Sequence, residues 1–219
     1  MIEVYILEAE TNTTDNTSFK NLLRCISDDK LNKITNMRND MDKKLTVFAD
    51  ILIRIVASQR IFLSNRNLFF QKDLYGKPYL LSYPDFQYNI SHTRNAVAVT
   101  FSNKPIGIDI EKIRQPDQQI VKRFFTPDEN RYIMQSNNFA VRFFEIWTKK
   151  EAHIKHDGRG LSIPLDSFSV LVNREKYYTY KFKDYIVALY RENLYDKITV
   201  RHLEEDDLYK QAKLLDYLS

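Results

Sequence analysis

Two acidic segments of the chain carry residue types that could do chemistry together: Gly107–Glu111 (GIDIE) and Trp147–Lys155 (WTKKEAHIK). In the first, Asp109 and Glu111 alternate with Ile108 and Ile110. A period of two puts both carboxylates on one face of a strand and both isoleucines on the other. In the second, Trp147, Glu151 and Lys155 follow at i, i+4, i+8 and share one stripe of a helix. A third carboxylate and a lysine can therefore face the strand pair. Three converging carboxylates suit a hard divalent cation, and a lysine beside them suits a phosphate bound to that cation.

The plain alternatives are a solvated strand face for Asp109 and Glu111 and an exposed helix pair for Glu151 and Lys155, worth about 0.2–0.5 kcal/mol. Against the first stand the apolar neighbours and the glycine at the strand's head. Against the second stand Phe144 and Trp147, which line the same stripe; a carboxylate among large aromatics is costly to bury unless it is paired or binds metal.

Two polar segments lie upstream. In NISHT (Asn89–Thr93), Ser91 and His92 are adjacent and project to opposite faces of a strand, so they do not make a nucleophile–base pair. Ser91 suits donation to a phosphate oxygen and His92 a place beside another anionic group; a capped loop is the bland reading. YGKPY (Tyr75–Tyr79) is a turn by composition, with Lys77 at its tip. Lys30 and Lys33 lie at i, i+3 of an early helix, where a solvated face is the default.

The elements that must position these residues read as α+β, in two halves that meet near Ser102–Lys104. The first opens with a strand at Glu3–Leu7. Ser27 and Asp28 then cap a helix through Met37, and a longer helix runs from about Asp42 to Arg60 with Leu45, Phe48, Leu52, Ile55 and Val56 as its apolar stripe. A strand and turn in LFFQKDLYGKPYL and a hairpin in FQYNISHTRNAVAVTFS complete it. The second half starts with the strand KPIGIDIE, followed by two short helices, with Thr126 as N-cap and Pro127 at the first helical position of the second. A long helix from about Ala140 to His156 ends at Gly158, and FSVLV, YYTYKF, YIVALYR and KITVRHL alternate as strands. The similar layout of the halves suggests a pseudo-duplicated architecture, divided as residues 1–103 and 104–219.

Composition narrows the setting. The 219 residues allow one large domain or two small ones; 43% are hydrophobic and 28% charged, as in a soluble globular protein. Cys25 is the only cysteine, which points to a reducing compartment, and the N-terminus lacks the h-region of a signal peptide. The apolar run ADILIRIVA is interrupted by Arg54 and is too short to span a bilayer. A cytoplasmic protein is expected, with no membrane partner. The net charge of +4 is spread along the chain rather than gathered, which argues against a nucleic-acid partner.

Taken in order, YGKP, NISHT, GIDIEKI, KRFFTPDE, WTKKEAHIK and GRGLSIPLDSFSV resemble the motif series of the Sfp-type 4′-phosphopantetheinyl transferases. The resemblance extends from about Leu74 to Val170 and more weakly back to Lys30 and Asp50; the last fifty residues or so carry little of it. It implies two similar α/β halves related by a pseudo-twofold axis, with the active site in the cleft between them. The implied activity moves the phosphopantetheine arm of coenzyme A to a serine of an apo acyl or peptidyl carrier protein, releasing adenosine 3′,5′-bisphosphate. It also implies Mg²⁺ held by Asp109, Glu111 and Glu151, with Glu111, Glu151 and Lys155 as the catalytic set. Lys30, Lys33, Lys77, Ser91, His92 and Lys155 would bind coenzyme A, and Glu129 would sit near the metal or the acceptor.

The chain has Leu45 where the family often has an arginine for the 3′-phosphate, with Lys44 adjacent but about 100° away on the helix. A two-half chain can complete one site, so a monomer is expected. Ile120–Phe125 is the expected docking surface for acidic carriers. Two other readings suit parts of the pattern: a metal-dependent phosphohydrolase, and a carrier-binding scaffold without activity.

Overall fold

The computed structural model describes residues 1–11, 13–14, 16–215 and 217. In chain order the first elements are β1 (Ile2–Glu8), α1 (Thr17–Leu23), α2 (Asp28–Thr35), α3 (Asp40–Ile61), β2 (Phe70–Lys72), β3 (Pro78–Leu80), β4 (Gln87–Thr93) and β5 (Ala96–Ser102). Then follow β6 (Gly107–Lys112), α4 (Gln118–Phe124), α5 (Pro127–Met134), α6 (Phe139–Asp157), β7 (Tyr177–Phe182), β8 (Tyr185–Tyr190), β9 (Ile198–Leu203) and α7 (Glu205–Ala212). One sheet has the order β4-β5-β1-β9, another β6-β8-β7, and β2 with β3 forms a separate hairpin.

The two larger sheets stack face to face, and each carries a long helix on its outer side. Period-two patterning explains the layering. Ile2, Val4, Ile6, Ala96 and Ala98 on one sheet meet Ile108, Ile110, Val187 and Leu189 on the other in a shared core. The opposite face of the first sheet packs Val97, Val99 and Phe101 with Phe48, Leu52 and Val56 of α3. On the far side of the second sheet, Ala188 and Tyr190 pack with Ala152 of α6. The halves thus share a helix-on-sheet plan with their sheets back to back, as the mixed α+β, two-half expectation required.

Helix ends follow their local chemistry. Asn39 accepts from the amides of Met41 and Asp42 to start α3. Thr126 and Glu129 form a reciprocal capping box at α5, with Pro127 in the first turn. Gly158, at φ +90°, ends α6 in the left-handed conformation that glycine tolerates best.

Two expectations change. KITVRHL is a strand, but β9 pairs parallel with β1, Ile2 opposite Ile198 through Leu7 opposite Leu203, so it belongs to the first sheet. Helix α7 follows it there: Glu205 accepts from the Glu10 amide and pairs with the buried Lys44 ammonium at 2.8 Å. The last stretch of residues 104–219 therefore returns to the half formed by residues 1–103. Lys44 is committed to that clasp, also donating to the Thr11 carbonyl, and so does not stand in for the arginine that Leu45 replaces.

FSVLV is not a strand, because side chains rather than a neighbouring ladder take up its backbone groups. Lys150 Nζ donates to the carbonyls of Leu165 and Phe168, both at 2.6 Å, and Glu129 Oε1 accepts from the Val170 amide at 2.8 Å. These side chains also bond each other at 2.8 Å with neither exposed at all, so Glu129 is a structural partner of Lys150.

Removing one member of such a pair leaves the other charge buried and unanswered. Lys150→Met should lower the unfolding free energy by about 3–5 kcal/mol. Urea unfolding checks this, and a loss comparable to that of an exposed lysine variant would refute it.

Candidate functional site

The site forms where strands of the two halves run side by side without sharing a ladder. β4 is the edge of the first sheet and β6 the edge of the second. Side chains of β4 at alternate positions bridge the seam. Asn89 Oδ1 accepts from the Ile108 amide at 3.1 Å, Ser91 Oγ donates to Asp109 Oδ1 at 2.6 Å, and Thr93 Oγ1 donates to Glu111 Oε2 at 3.0 Å. Asp109 and Glu111 thus share a face of β6, as their alternation with isoleucine requires.

α6 forms the second wall. Its first turns are anchored by aromatic packing: Trp147 stacks on Phe143 with centroids 6.0 Å apart and meets Phe125 at 6.2 Å. Gly107 lets β6 lie directly on the helix, since a Cβ there would collide with the Ala152 carbonyl oxygen and the His156 amide nitrogen. The stripe carrying Glu151 and Lys155 then faces the acidic strand. Lys155 Nζ lies 2.7 Å from both Ser91 Oγ and Asp109 Oδ1. Ser91 and Asp109 are each only 5% exposed, while the Lys155 side chain keeps 28% exposure.

The cluster is electrostatically loaded. Burial, then the charge on Asp109, raises the Glu151 carboxyl to about pKa 7; Lys155 opposes the rise and Glu111 adds to it. The second oxygen of Asp109, Oδ2, is buried and has no hydrogen-bond partner. Glu111 is also bonded by Arg114 at 3.1 Å. Among the described residues no three His, Cys, Asp or Glu side chains stand grouped as a ready cation cage. As the side chains stand, Lys155 answers Asp109, while Thr93 and Arg114 hold Glu111.

The other expected ligand-binding residues lie at differing removes. Lys77 Nζ donates at 2.8 Å to the carbonyl of His156, the residue after Lys155, at the C-terminus of α6. A turn in which the Asp73 carboxylate accepts from the amides of Tyr75 and Lys77 holds it there. Lys77 also lines an open cavity of about 530 Å³ with Pro78, Tyr79, Gln87, Pro105 and His156. Burial, then Lys77, lowers the His156 imidazole to about pKa 4, so it is neutral near pH 7.

His92 is exposed, next to Ser91 but off the face that Asn89, Ser91 and Thr93 share. Lys30 is paired at 2.6 Å with the buried Asp50, which also binds Arg54. Lys33 is exposed on α2. Ser91, Asp109, Glu111, Glu151 and Lys155 therefore form one cluster, and Lys30, Lys33, Lys77 and His92 lie outside it. Asn89, Thr93 and Arg114 were not singled out from sequence. The signal for the first two was present: the period of two that marks Ser91 also marks its polar neighbours at 89 and 93.

A buried serine and carboxylate bonded to a half-buried lysine, with two further carboxylates alongside, suit binding and activating a phosphate ester or anhydride. Comparison with known proteins agrees. Residues 105–206 match the family model described as the 4′-phosphopantetheinyl transferase superfamily, and residues 12–104 match that of the 4′-phosphopantetheinyl transferase N-terminal region. The 4′-phosphopantetheinyl transferase Sfp of Bacillus subtilis is 37% identical over 152 residues, 68% of each chain. The 4′-phosphopantetheinyl transferase gsp of Aneurinibacillus migulanus is 35% identical over 214 residues, 96% of this chain and 84% of its own length. A further 4′-phosphopantetheinyl transferase of Bacillus subtilis is 32% identical over 87% of this chain and 82% of its own. With this likeness running through both halves and the acidic cluster at their seam, the chain belongs to the 4′-phosphopantetheinyl transferase superfamily, enzymes that modify carrier proteins with the phosphopantetheine arm of coenzyme A.

Proposed function

We propose that this protein transfers the 4′-phosphopantetheine arm of coenzyme A to a serine of an apo acyl or peptidyl carrier protein in a Mg²⁺-dependent reaction, with the β4–β6–α6 cluster as its active site. The observation that carries the reading is the mutual bonding of Ser91, Asp109 and Lys155 beside Glu111 and Glu151. In the reaction, the carrier serine oxygen bonds to the β-phosphorus of coenzyme A. The bond to the bridging oxygen breaks, and adenosine 3′,5′-bisphosphate leaves.

Each residue has a part that its environment suits. Lys155 and Ser91 orient the pyrophosphate through charge and hydrogen bonding. Glu151, whose proton affinity is raised toward neutrality, accepts the serine proton. Lys77, Lys30, Lys33 and His92 attend the adenosine and its 3′-phosphate. For Lys30 this means sharing its ammonium with Asp50.

The donor chemistry fits a magnesium ion. Asp109, Glu111 and Glu151 supply hard carboxylate oxygens, Asp109 Oδ2 lacks any other partner, and burial followed by the charge of Asp109 raises the Glu151 carboxyl. When bound, such an ion supplies charge neutralisation at the pyrophosphate oxygens. Exposed Lys122 and Arg123 on α4, with Phe124 beside them, suit docking of an acidic carrier. A single chain holds both halves of the site, which suits a monomer, and the lone cysteine suits a cytoplasmic setting. Among the described residues no helix is long and apolar enough to cross a membrane.

The direct test is incubation with coenzyme A, Mg²⁺ and an apo carrier. A mass gain of one phosphopantetheine on the carrier serine is expected, and its absence across acyl and peptidyl carriers would sink the reading. Asp109→Asn and Glu151→Gln should each lower turnover by about 100-fold or more; near-normal rates in both would remove the cluster from the chemistry.

The raised Glu151 carboxyl also predicts a pH dependence. Because the folded state holds this proton more tightly than the unfolded chain, the contribution to stability is present below about pH 4.5 and is lost as pH rises through about 7. In metal-free protein, Tm should fall between pH 5 and 8 more steeply in wild type than in Glu151→Gln, and Mg²⁺ should restore wild type at pH 8. Identical slopes in the two proteins would show that Glu151 carries no such strain.

A further inference from the structure

We infer that Asn89 is a positioning residue of the active site, setting the register of the acidic strand against both β4 and α6. β6 is a sheet edge with β8 on one side only, so the amide of Ile108 needs a partner from elsewhere. Asn89 Oδ1 accepts from it at 3.1 Å, and Asn89 Nδ2 reaches the Lys155 carbonyl at 3.5 Å. A single amide thus ties the backbone next to Asp109 to the backbone of Lys155, the two residues whose side chains meet at Ser91 two positions farther along β4.

The geometry favours a positioning role over general packing. Asn89 is 6% exposed, and its carboxamide is matched in both senses, with acceptor to strand and donor to helix. Aspartate keeps the acceptor and loses the donor, and alanine loses both. With alanine, among the described residues the β4 side chains still bonded to β6 are Ser91 and Thr93, alongside the apolar packing of Ile108 and Ile110. Those two hydroxyls hold carboxylate side chains, which can follow a shifted strand by changing rotamer. The backbone bond made by Asn89 cannot follow in this way.

The inference rests on the proposed active site, and its test separates the two. Asn89→Ala, Asn89→Asp and Leu208→Ala, the last a core truncation in α7 that serves as a stability control, are compared with wild type well below their melting temperatures. Asn89→Ala should lower kcat by about 10–100-fold while leaving KM for coenzyme A within about threefold, and should raise the Mg²⁺ half-saturation by about tenfold. Asn89→Asp should recover part of the kcat. In metal-free protein, hydrogen exchange should accelerate at the Ile108 amide in Asn89→Ala and not in Leu208→Ala. If Asn89→Ala loses no more kcat than Leu208→Ala, the positioning role is wrong. If wild type neither responds to chelation nor modifies a carrier, the proposed function fails instead, and exchange at Ile108 still decides whether Asn89 fixes the strand.

Discussion

Where β4 passes β6, two sheet edges approach each other without completing a backbone ladder, and much of this protein's chemistry depends on that incomplete junction. A continuous sheet would have consumed the edge amides in backbone bonds. Instead, the seam is closed by an asparagine, a serine and a threonine at alternate positions of one strand. Two of these partners end on carboxylates, so the bonds that join the halves also place the acidic groups.

The junction holds because its other side is apolar. Ile108 and Ile110 project from β6 into the core shared with Ile2, Val4 and Ile6, while Asp109 and Glu111 project toward α6. The strand is pinned by hydrophobic burial on one face and by hydrogen bonds on the other, and Gly107 allows the helix to approach without a gap. Within this frame the desolvated carboxyl of Glu151 is tolerated as a local cost, of the kind that functional sites keep and cores eliminate.

What could be read from the sequence was whatever local periodicity or capping encodes. Alternation in GIDIE, the stripe of α6, the Thr126–Pro127 start and the Gly158 stop all survive in the structure because each depends on residues within a few positions of one another. The failures were nonlocal. KITVRHL has the pattern of a strand, but nothing in that pattern states that its partner lies near residue 2. FSVLV also has the composition of a strand, and only the buried Lys150–Glu129 pair decides otherwise. The same pair hides Glu129, whose acidic character suggested chemistry. Lys30 and Lys44 have ion-pair partners 20 and more positions away, which no helical spacing reveals.

The return of the chain end to its beginning has a consequence for synthesis. β1 stands between β5 and β9, and the N-terminal ammonium is paired with Asp196. A nascent chain that has only just emitted its first hundred residues can pair β1 with β5 and pack α3, yet one edge of β1 stays bare and the clasp from Glu205 to Lys44 is missing. That open edge is a template for unwanted pairing until β9 has been made. Ribosomal pausing between β5 and β9 would therefore prolong an aggregation-prone interval.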